Sequence, residues 1–242
     1  MQSFFDPTWM DLGTLAVYGR VAGVNWVWAE HLTIYHALVS IAASIAFVEA
    51  LYPSRRGERW IASRKWWLAN WAGLIGIYLV WELLTAYDAG VWKWLAWLAI
   101  FGLIALARIV PARFMEARPR PVPRPRRFFV TGFLGMLGQF FLIYTGADEN
   151  AYPWLLAMLF LVLFDLFILW LVLRWSGNGA AWDDRQRMAL VIGVLSFFLV
   201  LGPLTTNGQY PVMYFSNPVF LFLLWLAYRK VDRRVKAELT SA

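Results

Sequence analysis

The sequence predicts an all-α, polytopic membrane protein, a bundle of seven transmembrane helices, from three observations. Of its 242 residues, 61% are hydrophobic and only 15% are charged, whereas soluble domains have roughly 45–50% and 25%. Seven stretches are apolar enough to cross a bilayer, whose core of about 30 Å needs about 20 helical residues. Tryptophan and tyrosine cluster at the ends of these stretches, as amphipathic rings do at lipid headgroups.

The seven predicted spans follow one another with short connections. They cover residues 31–52, 66–86, 91–110, 128–146, 152–174, 187–206 and 212–229. Turn-forming or charged residues separate them, such as those of 53–57 and 148–150. The longest connection, 111–127, is rich in proline and arginine, and proline both blocks a helix and removes an N–H donor. We expect it to be an extended cytoplasmic linker.

Residues 1–30 precede the first predicted span. Leu12 to Ala29 is apolar, but Arg20 lies in its middle, and no turn separates it from the span that begins near His31. Because an arginine inside a span is costly, we interpret this segment as an outer interfacial helix or a reentrant cap, with a true crossing as the alternative. The predicted organisation is therefore an outer segment 1–30, helices in 31–110, a linker 111–127, helices in 128–229 and a basic tail 230–242.

The positions of lysine and arginine predict the orientation. All but two of the 22, namely Arg20 and Lys93, lie in residues 53–65, 108–127, 174–187 or 229–242. The positive-inside rule places these segments in the cytoplasm, so the N-terminus is expected outside and the C-terminus inside. Arginine far outnumbers lysine, as in proteins from GC-rich bacterial genomes, and we therefore expect the cytoplasmic (inner) membrane of a bacterium.

A few polar side chains lie within the spans and are candidates for a site, because ionisable groups are costly there. Asp165 is near the middle of the fifth span, while Glu82 and His36 are in the outer parts of the second and first. Gln139 and Ser196 lie within the fourth and sixth spans. These five could line one pocket open to the outside, where a carboxylate beside a histidine binds a proton or a ligand. The alternative for Asp165 is a protonated side chain that only joins two helices.

Missing residues exclude several classes of protein. Without cysteine there is no disulfide, thiolate zinc site, iron–sulfur cluster or cysteine nucleophile. The last predicted span has no lysine for a retinal Schiff base, and no nucleotide-binding glycine loop is present. The sequence thus predicts no cofactor and no metal. Its basic residues are spread beside membrane ends, which favours anionic lipid headgroups rather than nucleic acid as partners.

The sequence favours a protein that handles a small, largely apolar solute or a proton through an outward-facing intramembrane pocket, by transport or sensing. Catalysis is less favoured. One alternative is a non-catalytic subunit or assembly factor, which would bind a protein partner through aromatic side chains and the linker. Another is a lipid-modifying enzyme with a carboxylate and a histidine as acid and base. The scarcity of polar groups argues against an ion pore.

Overall fold

The computed structural model is helical almost throughout. It describes residues 17–21, 24–56, 58, 63–84, 98, 101–102, 105, 109, 121–148, 152–178, 181–205 and 211–241. Of the residues described, 87% are helical, which confirms the all-α prediction. Most of the third predicted span, residues 111–120 of the linker and most of the outer segment 1–30 lie outside the described residues.

Within the described ranges, five helices are long and apolar enough to cross a membrane, which supports a multi-pass protein. They are α1 (Trp26–Leu51), α3 (Pro125–Asp148, of which Pro125–Ala147 qualifies), α4 (Trp154–Ser176), α5 (Asp184–Thr205, of which Asp184–Pro203 qualifies) and α6 (Val212–Ser241). They coincide with the first, fourth, fifth, sixth and seventh predicted spans. The total of seven spans and the orientation of the termini stay predictions.

The chain divides into two compact units. The smaller comprises residues 55–116 with 1–2, and the larger comprises residues 3–54 with 117–242. In the smaller unit, α2 (Arg64–Leu84) coincides with the second predicted span. Most of its side chains from Arg64 to Val80 are exposed, and the Trp67 and Trp71 rings meet edge to face with centroids 5.9 Å apart.

The residues before α1 differ from the interfacial helix that the sequence predicted. Arg20–Val21 (β1) and Val24–Asn25 (β2) pair as a short antiparallel hairpin, entered through Gly19 at φ +75°. Tyr18 anchors it by donating a hydrogen bond to the Tyr152 carbonyl (2.7 Å). Burial raises the pKa of the Tyr18 hydroxyl, which therefore stays a donor at neutral pH.

Helix α1 begins at Trp26, five residues earlier than predicted. The Asn25 side chain caps it by accepting a hydrogen bond from the Trp28 backbone N–H (3.0 Å), which satisfies one orphan donor of the first turn. Residues His36–Ala43 form a wider π-helix between the α-helical parts Trp26–Tyr35 and Ser44–Leu51. Such segments are rare and often occur beside functional sites.

Helices α3 and α5 form the central pair of the larger unit, with α4 against α3 and α6 against α5. Two glycines allow their backbones to approach closely. A Cβ atom at Gly132 would lie 2.5 Å from the Leu190 carbonyl oxygen, and one at Gly193 would overlap the Phe129 carbonyl. Small residues are the usual means of close helix contact in membranes, where burial from water drives little association.

Arg234 joins three helices at one end of the larger unit. Its guanidinium donates to the Ala50 carbonyl oxygen at the end of α1 (2.8 Å) and to the Asp184 carboxylate at the start of α5. Asp184 is nearly buried, and Arg187 approaches it more distantly at 3.8 Å. The contact satisfies a helix-end carbonyl that has no partner within its own helix.

We therefore expect Arg234→Ala to lower the free energy of unfolding by about 2 kcal/mol, because hydrogen bonds to charged groups contribute about 1.5–3 kcal/mol. The matched control is Arg233→Ala, which removes an exposed arginine from the preceding position. Thermal unfolding in one detergent would compare the two. Equal melting temperatures would show that the Arg234 contacts do not stabilise the bundle.

Candidate functional site

Asp165 and Gln139 form the centre of the site. Asp165 lies halfway along α4, and Gln139 lies buried on the adjacent face of α3. The Gln139 side-chain nitrogen, Nε2, donates to both Asp165 carboxylate oxygens at 2.8 Å. The sequence placed both residues at membrane depth, and the structure brings them together.

Two residues of α1 complete the group. The Nδ1 atom of His31 lies 3.1 Å from the Gln139 side-chain oxygen, and because that oxygen only accepts, Nδ1 carries the proton. The carboxyl groups of Glu30 and Asp165 interact electrostatically with each other. One Glu30 oxygen, Oε2, is buried without a hydrogen-bond partner among the described residues. We refer to Glu30, His31, Gln139 and Asp165 as the acid–amide cluster.

Aromatic rings surround the histidine of this cluster. The Phe140 ring meets the His31 imidazole edge to face with centroids 4.8 Å apart, and Trp28 lies at 5.7 Å on the preceding turn. His31 is 2% exposed. Its imidazole is therefore held in one orientation, with the Gln139 amide as its hydrogen-bond partner.

A cavity of about 730 Å³ extends from the cluster between α1, α3, α4 and α5. Asp165 and Gln139 lie at one end, and Glu49, Trp182 and Arg187 lie at the other. The walls between are almost entirely apolar, with alanines from α1, glycines and Met136 from α3, and leucine, isoleucine and valine from α4 and α5. The cavity thus joins an intramembrane carboxylate to the helix ends near Leu51 and Asp184.

The divergence of two helices creates this space. The first part of α1, Trp26–Tyr35, packs against α4 and α3, whereas its last part, Ser44–Leu51, packs against α5 and α6. From the π-helical segment onward, α1 therefore moves away from α4. Helices α3 and α5 line the remaining side of this space, and Gly132 and Gly135 of α3 put no side chain into it.

The other predicted site residues do not join the cluster. The imidazole of His36 lies 3.0 Å from the Ser40 hydroxyl on its own helix. Five residues of helix correspond to about 140° of rotation, so His31 and His36 cannot face the same neighbour. Ser196 is buried in α5, but it neither lines the cavity nor hydrogen-bonds to the cluster. Glu82 belongs to the smaller unit, and its side chain lies outside the described residues.

The direction of the cavity also differs from the expectation. It extends toward the ends of α1 and α4 and the starts of α3 and α5, which the basic residues predict to be cytoplasmic. The sequence analysis expected an outward-facing pocket, because it used His36 and Glu82 as guides to depth. With the predicted orientation, the cavity occupies the inner half of the membrane instead.

Sequence reasoning missed Glu30 and His31 as site residues because it began the first span at His31. A signal was present in the sequence. Asn25 followed by an apolar run is typical of a helix start, and it would have placed Glu30 within the span and His31 more than a turn from its end.

No group of three histidine, aspartate or glutamate side chains suited to a metal ion occurs in the described ranges.

In the comparisons with known proteins, no family model, no curated protein and no solved structure matches this chain significantly.

Proposed function

We propose that this protein binds a small, largely apolar solute in the cavity and transports or senses it together with a proton held by the acid–amide cluster. The observation that carries this proposal is the position of Asp165. Its carboxylate both lines the cavity and contacts Gln139 and Glu30. A change of charge at Asp165 therefore acts directly on whatever occupies the cavity.

The size of the cavity favours a small molecule over a protein segment. A helix about 10 Å across has a cross-section of roughly 80 Å², so a volume of 730 Å³ holds only about six of its residues. Sites for small molecules usually measure about 300–1,000 Å³ and have mostly apolar walls with a few polar groups. The cavity has both properties.

The paired acids supply the proton. Two interacting carboxylates in an apolar region repel each other when both are ionised, so in the absence of a bound cation we expect one proton to be shared between Glu30 and Asp165. Because Gln139 donates to both oxygens of Asp165, it favours the ionised form of Asp165 and leaves the proton on Glu30. His31 keeps the Gln139 amide in the orientation that makes this possible.

Native mass spectrometry on gently extracted protein tests the proposal. We expect a retained molecule of a few hundred daltons. Gly135→Phe should abolish retention, because Gly135 lines the cavity and an added Cβ atom meets only Ile168, at an ordinary 3.7 Å. The matched control is Leu163→Phe, which puts the same ring on an exposed face of α4.

Two results would contradict the proposal. One is equal retention of the molecule by wild-type and Gly135→Phe protein. The other is a protein partner retained without any small molecule, which would favour a non-catalytic subunit of a membrane complex. In that case the acid–amide cluster would serve to hold α1, α3 and α4 together.

A further inference from the structure

We infer that the cavity takes a lipophilic cation, an apolar molecule with one amine or quaternary charge, which enters sideways from the bilayer and displaces the proton of the acid–amide cluster. This inference rests on the proposed function and adds the class of ligand and its route. Four observations support it: the charges that line the cavity, the neighbours of Asp165, the exposed rim and the composition of the walls.

The charges of the cavity complement a cation. Two carboxylates, Asp165 and Glu49, line it at opposite ends. Arg187, the one basic residue among the described residues that line it, lies 3.8 Å from the Asp184 carboxylate and packs over the Trp182 ring. These two carboxylates repel an anionic ligand, attract a cationic one and offer a neutral ligand no charge contact.

The immediate neighbours of Asp165 include no positive charge among the described residues. Glu30 contacts it from α1, and Gln139 contacts it from α3. His31 acts only through Gln139, and Arg187 of α5 lines the opposite end of the cavity. A proton and a ligand cation can thus compete for the acid pair, which keeps one negative charge with either of them bound. When the cation binds, the proton leaves to water, so that one positive charge replaces another.

The rim of the cavity reaches the lipid-facing surface. Leu38 of α1 and Leu166 and Leu169 of α4 line the cavity, yet they are 46%, 55% and 53% exposed. They lie on the two helices that diverge after the π-helical segment. We therefore place the entrance of the ligand between these two helices, on the side of the bilayer.

The walls suit an apolar body rather than a hydrated ion. Alanines 37, 42, 43 and 46 of α1 face the apolar side chains of α4 across the space. A metal ion or a small hydrated cation would lose its water without receiving enough oxygen ligands in return. An apolar cation loses little, because its bulk is already poorly hydrated.

Calorimetric titration of the full chain in detergent tests the inference, with tetraphenylphosphonium as the cation and triphenylphosphine oxide as its neutral counterpart. We expect the cation to bind at least tenfold more tightly than the neutral compound. Titrations in two buffers of different protonation enthalpy should show about one proton released per cation bound. Affinity should fall as the pH falls, because protons compete for the acid pair.

Variants separate the role of each acid. Asp165→Asn should abolish both cation binding and proton release, while Asp232→Asn, at an ion pair with Lys236 outside the cavity, should change neither. Glu49→Gln should weaken binding severalfold and leave proton release unchanged. This second variant keeps the test decisive if the Asp165 variant does not fold.

Absence of cation binding, equal binding of the neutral compound, or binding without proton release would each overturn the inference. Its failure can be distinguished from failure of the proposed function. If both compounds bind equally and Gly135→Phe abolishes both, the cavity is a binding site but charge is not what it recognises. If neither compound binds and native mass spectrometry shows no retained molecule, both proposals are wrong.

Discussion

Replacing Gln139 with leucine is expected to lower the free energy of unfolding by about 3–5 kcal/mol and to abolish ligand retention. Gln139 is the shared partner of His31 and Asp165, which it contacts at 3.1 Å and 2.8 Å. Leucine is similar in size, so little packing is lost. The loss arises because two polar groups in the interior lose their partner, at about 1–3 kcal/mol for each unsatisfied group.

A second substitution, at His31, tests whether the loss of stability comes from polar groups left without a hydrogen-bond partner. The double variant His31→Leu with Gln139→Leu should be more stable than Gln139→Leu alone, because it removes a donor that would otherwise be unpaired. We would measure thermal unfolding of the wild-type protein, the two single variants and the double variant. The four values give the coupling free energy between His31 and Gln139. If the two single effects simply add, the hydrogen bond between His31 and Gln139 does not stabilise the protein.

Gly193→Ala is expected to cost about 3 kcal/mol or more. The added Cβ atom would overlap the backbone carbonyl of Phe129, and backbone cannot move aside as a flexible side chain can. Helices α3 and α5 would have to separate along the best-packed contact of the larger unit. Overpacking in a tight core usually costs about 1–3 kcal/mol, and contact with backbone places this substitution at or above that range.

The matched control for this substitution is Gly135→Ala. Gly135 lies on the same helix pair, but an added Cβ atom there meets only Ile168 at 3.7 Å. This variant should be as stable as the wild-type protein or slightly more stable, because alanine is better than glycine inside a helix by about 0.5–1 kcal/mol. Similar melting temperatures for the two alanine variants would show that α3 and α5 do not meet through Gly193.

The amino-acid sequence by itself determined where the helices lie along the chain. A bilayer offers no water to backbone groups, so a long apolar stretch has to satisfy its hydrogen bonds as a helix, and composition is then enough to locate it. Composition did not locate the start of α1. That start depends on the local Asn25 cap, and five residues were enough to leave Glu30 outside the predicted span and to put His31 at its very end.

Depth in the membrane was also accessible from sequence, since each helical residue advances by 1.5 Å. It placed Asp165 near the middle of its span and Gln139 in the outer half of another, and the structure brings the two side chains into contact. The direction in which a side chain points depends instead on which helix packs beside it, and no single span contains that information. The tertiary structure alone decided that His31 rather than His36 meets Gln139 and that Glu30 meets Asp165. It also decided that α1 and α4 diverge to form a cavity, because that space belongs to four helices at once.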